Sequence, residues 1–540
     1  MDSKNFYVTS PIYYVNDVPH IGHAYTSIAC DVAARFKRLE GFDVRFLTGT
    51  DEHGQKVEKS ALHAQKNPQE FCDEVSAKFR ELASTLDLSH DDFIRTTEDR
   101  HKKSAQEFWR RLEANGFIYK DVYEGWYALR DEAFYAEDEL VNGKAPTGAQ
   151  VTWHKEESYF FKLSAFQEKL LTLYEAAPDF IRPQSRFNEV VSFVKGGLRD
   201  LSISRTSFSW GISVPEGVGC CSLMVDGERN PEQPTTNNQQ PTHVMYVWLD
   251  ALTNYLSALG FPDEQAPLFQ KFWCNTSESP VHIVGKDIVR FHAVYWPAFL
   301  MAANLNIPHS IYAHGWWTNE GQKISKSVGN VIDPHKELEW LESLGCSSDT
   351  AVDYFRYFLL REVPFGNDGD YSRISFVTRV NAELANNVGN LVQRSLSMIF
   401  KNCDGKIPPA KIAIKKIPRD EIFDEIFAAM KNFSFDKVLA AITEFATSAN
   451  KNFNDAAPWK LKKENKISEM NDALYDAAES IRVIGILLLP FVPKSANKIL
   501  DLLAVENSKR NFAALGEMLE VGKKINEPKA VFPRLEQTSF

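Results

Sequence analysis

Strand and helix alternate from the first residues of the chain. Phe6 to Tyr14 is rich in β-branched and aromatic side chains, Asn16-Asp17-Val18-Pro19 supplies turn chemistry, and from His20 the apolar spacing Ile21, Ile28, Val32, Phe36 follows one helical face. A second strand-like run, Val44 to Leu47, ends in Thr48-Gly49-Thr50-Asp51-Glu52-His53-Gly54, and helical stretches follow to about Phe117. Such alternation predicts a parallel α/β sheet, whose ligands sit beyond the carboxyl ends of the strands. From about Ile118 to Thr242 the texture changes, with aromatic strand-like pieces (Tyr119 to Tyr127, Val151 to Phe161) among Gly- and Pro-containing turns. The polar stretch from Pro215 to Pro241 reads as an exposed loop. Strand and helix pieces return at His243 to Leu259, Val281 to Ile283 and Ser310 to His314, so the sheet domain is expected to be split by an inserted module. After about Thr378 the pattern is helical: Val380 to Phe400, Arg419 to Asn432, Phe435 to Asn452 and Met470 to Leu489, which predicts a bundle.

At 540 residues the chain exceeds what one core serves, and several domains are expected. The cysteines, Cys30, Cys72, Cys220, Cys221, Cys274, Cys346 and Cys403, form no C-x-x-C pair. That usage suits a reducing cytoplasm and argues against a disulfide scaffold or a zinc ribbon. Met1 to Ser10 lacks a secretory leader pattern, and the most apolar run, Ile484 to Val492, contains Pro490 and is too short to span a bilayer. A net charge of −11 gives no bulk attraction to nucleic acid. Any polyanion must therefore be met by a local basic patch.

Two short segments carry chemistry. His20-Ile21-Gly22-His23 falls where the first strand hands over to a helix. A helix N-terminus offers unpaired N–H groups and positive potential to phosphates, the imidazoles can donate hydrogen bonds, and Gly22 allows close approach of a flat base. Lys323-Ile324-Ser325-Lys326-Ser327, after Gly321, places two lysines on a Ser-rich segment suited to clamping pyrophosphate as charge develops on it. Taken singly, the first is also the ordinary start of a helix and the second an ordinary solvated loop. As a pair, in this order within a split sheet domain, they resemble the two nucleotide-binding signatures of class I aminoacyl-tRNA synthetases, in which the second usually reads K-M-S-K-S.

Within that class the chain resembles the methionyl-tRNA synthetase family over nearly its whole length. The segments that carry the likeness are Ser10-Pro-Ile-Tyr-Tyr-Val-Asn16, Leu47 to Gly54, Tyr246-Val-Trp-Leu-Asp-Ala251, Val284-Gly-Lys-Asp-Ile-Val-Arg-Phe-His292 and His314-Gly-Trp-Trp317. The resemblance implies a split Rossmann-type domain (residues 1–117 and 243–322) holding a connective, acceptor-binding module (118–242). A loop and stem-contact region (323–378) and an all-α anticodon-binding bundle (379–540) would follow. It implies activation of L-methionine with ATP, accompanied by Mg²⁺, and transfer to tRNA(Met), the initiator included. His20, His23, Lys323 and Lys326 would stabilise charge in catalysis; Gly22, Gly285, Asp287 and Trp317 would join them around ATP. Asp51 would bind the methionine ammonium. Ile12, Tyr14, Trp248, Ala251, Leu252, Tyr255, Ile288 and His292 would line the side-chain pocket, although position 252 is proline in one version of the family. A thioether packs well against aromatic faces and edges.

Many family members hold zinc through cysteines of the inserted module. The matching stretch here, Gly125 to Phe134, has no cysteine, so an insert without structural zinc is expected. In the bundle, Asn390 and Arg394 are spaced to share one helix face, and the resemblance gives them, with Trp459 of Asn454-Asp-Ala-Ala-Pro-Trp459, the anticodon bases. No appended dimerisation domain follows, so a cytoplasmic monomer is expected. Three alternatives stay open at this point: a class I synthetase for another apolar amino acid, a tRNA-binding paralogue without catalysis, and a nucleotidyltransferase acting on a small molecule without RNA, against which the Asn390, Arg394 and Trp459 set argues.

Overall fold

The structure, a computed structural model, describes residues 4–15, 18–128, 130, 133–135, 137–215, 243–276, 278–324, 329–410 and 419–536. Asn5–Thr9 (β1) is buried along its whole length because it lies in the middle of a seven-stranded sheet. Asp43–Asp51 (β2) and Asp92–Arg95 (β3) flank it on one side, Val281–Gly285 (β4) and Ser310–His314 (β5) on the other. Two short pieces, Tyr13–Tyr14 and Ile181–Arg182, complete the sheet, and every pairing is parallel. The strand order therefore reverses direction between β1 and β4, and the crevice for a ligand opens there at the carboxyl ends.

Helix Ile21–Leu39 (α1) follows β1, and Ile21, Ile28, Val32 and Phe36 are all buried, as their spacing predicts. They share a core with Phe6, Val8, Phe46, Val281 and Ile283 of the sheet, each such side chain contributing roughly 1.5–3 kcal/mol of apolar burial. β2 runs four residues past the apolar stretch that signals it, through Thr48-Gly-Thr-Asp51. Those polar residues stay in strand because they are paired on both edges, Thr50 and Asp51 with Tyr13 and Tyr14, Leu47 to Thr50 with β3.

The inserted segment builds an antiparallel sheet from Ile118–Ala128, Ala133–Tyr135, Thr152–Phe161 and Leu201–Ser202. One of its pieces, Ile181–Arg182, instead pairs with β5 at the edge of the main sheet, so the insert is not wholly separate from the core it interrupts. The polar stretch after Pro215, through Thr242, lies outside the described residues.

Helix Ser348–Arg361 (α2) joins the two ends of the molecule; every residue from Thr350 to Leu360 is buried. Its Arg356 is enclosed completely. The guanidinium donates to Asp31 Oδ2 on α1 (2.6 Å), to Leu86 O (3.1 Å), and to Pro490 O (3.0 Å) and Phe491 O (2.9 Å) in the bundle. The helical part then runs through Arg373–Val380, a π-wound turn Asn381–Gly389, Asn390–Asn402 (α3), Arg419–Lys431 (α4), Phe435–Ala456 (α5), Pro458–Lys463 (α6), Ile467–Leu488 (α7) and Pro493–Leu502 (α8). The helix expected from Val380 to Phe400 is continuous, with its first part, Asn381–Gly389, wound as π-helix. Among the described residues no helix is long and apolar enough to cross a membrane.

Candidate active site

The N-terminus of α1 is closed by its own histidines. His20 Nδ1 accepts the Gly22 N–H at 3.1 Å, and His23 Nδ1 accepts the His20 N–H at 3.1 Å, a reciprocal cap. The two rings stack at 3.8 Å. Because both Nδ1 atoms accept, each neutral ring carries its proton on Nε2. Burial holds His20 down at about 4, against the pull of the Asp287 carboxylate, and burial beside His20 holds His23 well below the ordinary range. Near neutral pH the pair therefore offers hydrogen-bond donors, not cations. A Cβ at Gly22 would lie 2.9 Å from His20 Cε1, so glycine is required for the cap itself as well as for access.

The chain on either side of the second signature reaches the same helix end. Its hairpin pairs Trp317–Asn319 with Gln322–Lys323. On the way in, His314 Nε2 lies 2.7 Å from Thr26 Oγ1, and Tyr25 meets the Trp317 ring edge-on at 5.5 Å. On the way out, Ile332 O accepts the Ile21 N–H at 3.0 Å. Both ends of the loop are thus fastened to the first turns of α1. Lys323 closes the hairpin; Lys326, with Ser325 and Ser327, lies outside the described residues.

Asp287 follows β4 at the same edge of the sheet. A Cβ at Gly285 would lie 2.6 Å from Asp287 Oδ1, which explains a glycine beside that carboxylate. The exposed Trp316 donates its indole N–H to Asp287 Oδ1 (3.1 Å), while Lys286 sits over the Trp316 ring at 4.2 Å and pairs with Asp368 at 2.7 Å. Trp317, expected around ATP, turns its side chain into the core, 5 % exposed, against Tyr25 and Phe358. A base could meet only its backbone. The tryptophan whose ring faces outward is the preceding one.

The side chains expected around the methionine thioether come from three parts of the chain. Tyr14 meets Trp248 edge-on at 6.4 Å, and Trp248 lies edge-on to His292 at 6.3 Å. Tyr255 OH and His292 Nε2 are 2.7 Å apart, and His292 Nδ1 is 3.0 Å from Ile288 O. The imidazole N–H therefore goes to the carbonyl and the phenol donates to Nε2. Burial takes His292 down to about 4, with its Ile288 bond and the Asp287 charge opposing. Ile12, Tyr14 and Ile288 are half-buried on the rim of the core that contains Trp248, Leu252 and Tyr255; Ala251 is buried beside them. Phe291 stacks face to face on Trp248 at 3.7 Å and 6°. Sequence reasoning passed over it, although it immediately precedes His292 in a segment already singled out.

Asp51, 2 % exposed, ends β2 opposite Tyr14, and its neighbours are tied down on both sides. Glu52 receives Arg95 at 2.7 and 3.0 Å and Thr50 at 2.7 Å. His53 Nδ1 lies 2.7 Å from Asp250 Oδ2, whose other oxygen lies 2.7 Å from His101 Nε2; His101 Nδ1 in turn reaches Ser257 Oγ at 3.1 Å. Burial would raise the Asp250 carboxyl, but the two histidines more than reverse this and hold it at about 2. These partners are scattered along the sequence, and no local pattern announces them.

In the bundle, Arg394 donates to Asn454 Oδ1 at 2.9 Å and lies 5.5 Å from the ring centres of both Phe453 and Trp459. Ala457, at φ 45°, turns the chain into α6, and Trp459 folds back edge-on to Phe453 at 6.0 Å. That left-handed alanine carries a strain of roughly 1–2 kcal/mol. Asn390 stands exposed one turn before Arg394. Among the described residues no group of three or more His, Cys, Asp or Glu side chains is placed to hold a metal ion; Gly125 to Phe134 is described only in part.

A parallel sheet with its switch point at β1/β4, a histidine-capped helix there and a lysine-bearing hairpin fastened to that helix define the nucleotide-binding half of a class I synthetase. The family model described as tRNA synthetases class I (M) matches residues 6–152 and 147–396, and that of the anticodon binding domain of methionyl tRNA ligase matches 418–539. The chain is 52 % identical over 545 residues to the methionine–tRNA ligase of Rickettsia conorii, covering 99 % of this chain and 100 % of that protein. To that of Rhizobium meliloti it is 47 % identical, with 99 % and 98 % covered. A solved structure of Mycobacterium tuberculosis methionyl-tRNA synthetase in complex with methionyl-adenylate matches with TM-score 0.89 and 46 % identity, covering 98 % of this chain and 100 % of that one. The chain belongs to the methionyl-tRNA synthetase family.

Proposed function

We propose that this chain activates L-methionine with ATP and transfers it to the 3′-terminal adenosine of tRNA(Met), the initiator included. The observation that carries the reading is the convergence at one sheet edge of the histidine-capped helix, the fastened hairpin, Asp287 and the Asp51–Trp248–Tyr255 pocket. A methionine carboxylate oxygen attacks the α-phosphorus of ATP and the bond to pyrophosphate breaks. A ribose hydroxyl of the tRNA then attacks the carbonyl carbon, and AMP leaves. Side chains position and stabilise charge; none need form a covalent bond. His20 and His23 donate through Nε2–H to phosphate oxygens, Lys323 and Lys326 neutralise the departing pyrophosphate with Mg²⁺, and Gly22 leaves room for the base. Gly285 and Asp287 meet the ribose, and the backbone at Trp317 borders the adenine. Asp51 takes the ammonium, and the thioether lies among Ile12, Tyr14, Trp248, Ala251, Leu252, Tyr255, Ile288 and His292.

Asn390, Arg394 and Trp459 read the anticodon by stacking and by hydrogen bonds to base edges. In this scheme residues 1–117 and 243–322 form the catalytic domain, 118–242 the acceptor-binding module, 323–378 the loop and stem-contact region and 379–540 the anticodon domain. The protein acts as a monomer in the cytoplasm. Pyrophosphate exchange with a panel of amino acids tests the reading. Methionine should be activated above isoleucine, leucine and valine, since an apolar pocket separates one methylene by only about 10–200-fold. Preference for a branched amino acid, or no exchange at all, would overturn it.

A further inference from the structure

Asp250 touches none of the atoms that react, yet it bridges the Asp51 loop and the helices of the side-chain pocket. Its carboxylate receives His53, two residues beyond Asp51, on one oxygen and His101 on the other, both at 2.7 Å. Asp250 itself lies in the turn Val247–Leu252 that carries Trp248 and Ala251. His101 passes the connection on to Ser257, in the turn Asn254–Ser257 that carries Tyr255. All of these side chains are buried. Between Asp51 and His53, Glu52 is itself fixed by Arg95. An amino acid bound by its ammonium at one end and its thioether at the other is measured by the distance between these two walls.

We propose that Asp250 is a positioning residue for methionine, which sets the separation between the ammonium-binding carboxylate and the thioether pocket by gripping His53 and His101 together. The proposal rests on the pocket assigned above. A carboxylate is needed because two donors converge on one group, and each oxygen accepts a short charge-assisted bond. An amide would present one acceptor and one donor, so one histidine must release or change its tautomer. ATP is held by α1, the hairpin and Asp287, none of which is in the bridge. Methionine and ATP should therefore respond differently.

The test is pyrophosphate exchange with Asp250→Asn, His101→Leu, His101→Gln and, for the pocket itself, Trp248→Ala. Asp250→Asn and His101→Leu should raise the KM for methionine about tenfold, the size one mispaired buried donor carries, with the KM for ATP within about twofold of the parent. His101→Gln should restore most of the loss, because its amide N–H can still donate to Asp250. If Asp250→Asn does not fold, the His101 pair decides alone. A methionine KM that stays at the parental value in folded bridge variants, while Trp248→Ala raises it, overturns the positioning role and leaves the pocket standing. Equal rises for both substrates, or failure of Gln to outperform Leu, also overturn it. If Trp248→Ala too has no effect, the pocket falls with it.

Discussion

His20 and His23 each use Nδ1 to hold a backbone N–H, and the atom left for a phosphate oxygen is Nε2–H. Lysine works differently, as a compact charge on a flexible stem. Lys326→Ala should accordingly lower kcat for pyrophosphate exchange by on the order of 10²-fold or more, the usual size for losing one preorganised charge contact, while methionine binding measured by fluorescence stays near the parental value. Tyr255→Phe tests a different kind of contact. It removes the hydroxyl that donates to His292 Nε2 and leaves a buried acceptor without its partner. Urea denaturation should register a loss of roughly 1–3 kcal/mol; an unchanged midpoint would mean that His292 finds another donor.

Among the elements, α3, α5 and α6 meet at Arg394, Asn454 and Trp459, far in the chain from α1 and the sheet. A base stacked on Trp459 is part of tRNA recognition alone. Trp459→Ala should depress aminoacylation at limiting tRNA by about tenfold, since a stacked base contributes roughly 1–3 kcal/mol, and should leave adenylate formation unaltered in the same preparation. Equal losses would remove the anticodon role. What could be read from the sequence was what neighbours along the chain decide: the strand-to-helix handover at His20, the four-residue spacing of Asn390 and Arg394, the strand β5. β2 was read too short because its polar end is held by partners on both edges, not by its own apolar pattern. Trp316 and Trp317 could not be told apart, since which of two adjacent rings turns inward is decided by Tyr25 and Phe358, elsewhere in the chain. The His53–Asp250–His101 bridge was invisible for the same reason, although two of its members lay within segments already singled out.

Across the whole molecule, the buried neutral histidines set an acid limit on stability. His20 and His292 are held at about 4, and His23 and His282 are also lowered by burial, against about 6.5 in an unfolded chain. Between those values the unfolded state takes up protons that the folded state refuses, so stability is complete above about 6.5 and declines as the pH falls towards 4. Asp353, raised to about 6 by burial, works in the opposite direction over much of this range, as does Glu113, while His90, His309 and His314 are lowered by burial as well. Thermal midpoints should fall steadily from pH 7 to pH 4.5; a flat profile would show that the rings take up protons in place. The enclosed guanidinium of Arg356 bears on how the protein can be divided. Half of what it grips, Pro490 O and Phe491 O, belongs to the bundle. A catalytic fragment severed from those helices would keep a cation in its interior with a depleted set of acceptors. Anyone excising the synthetic half would do better to replace position 356 with a neutral side chain of similar bulk than to search for a cleaner place to cut.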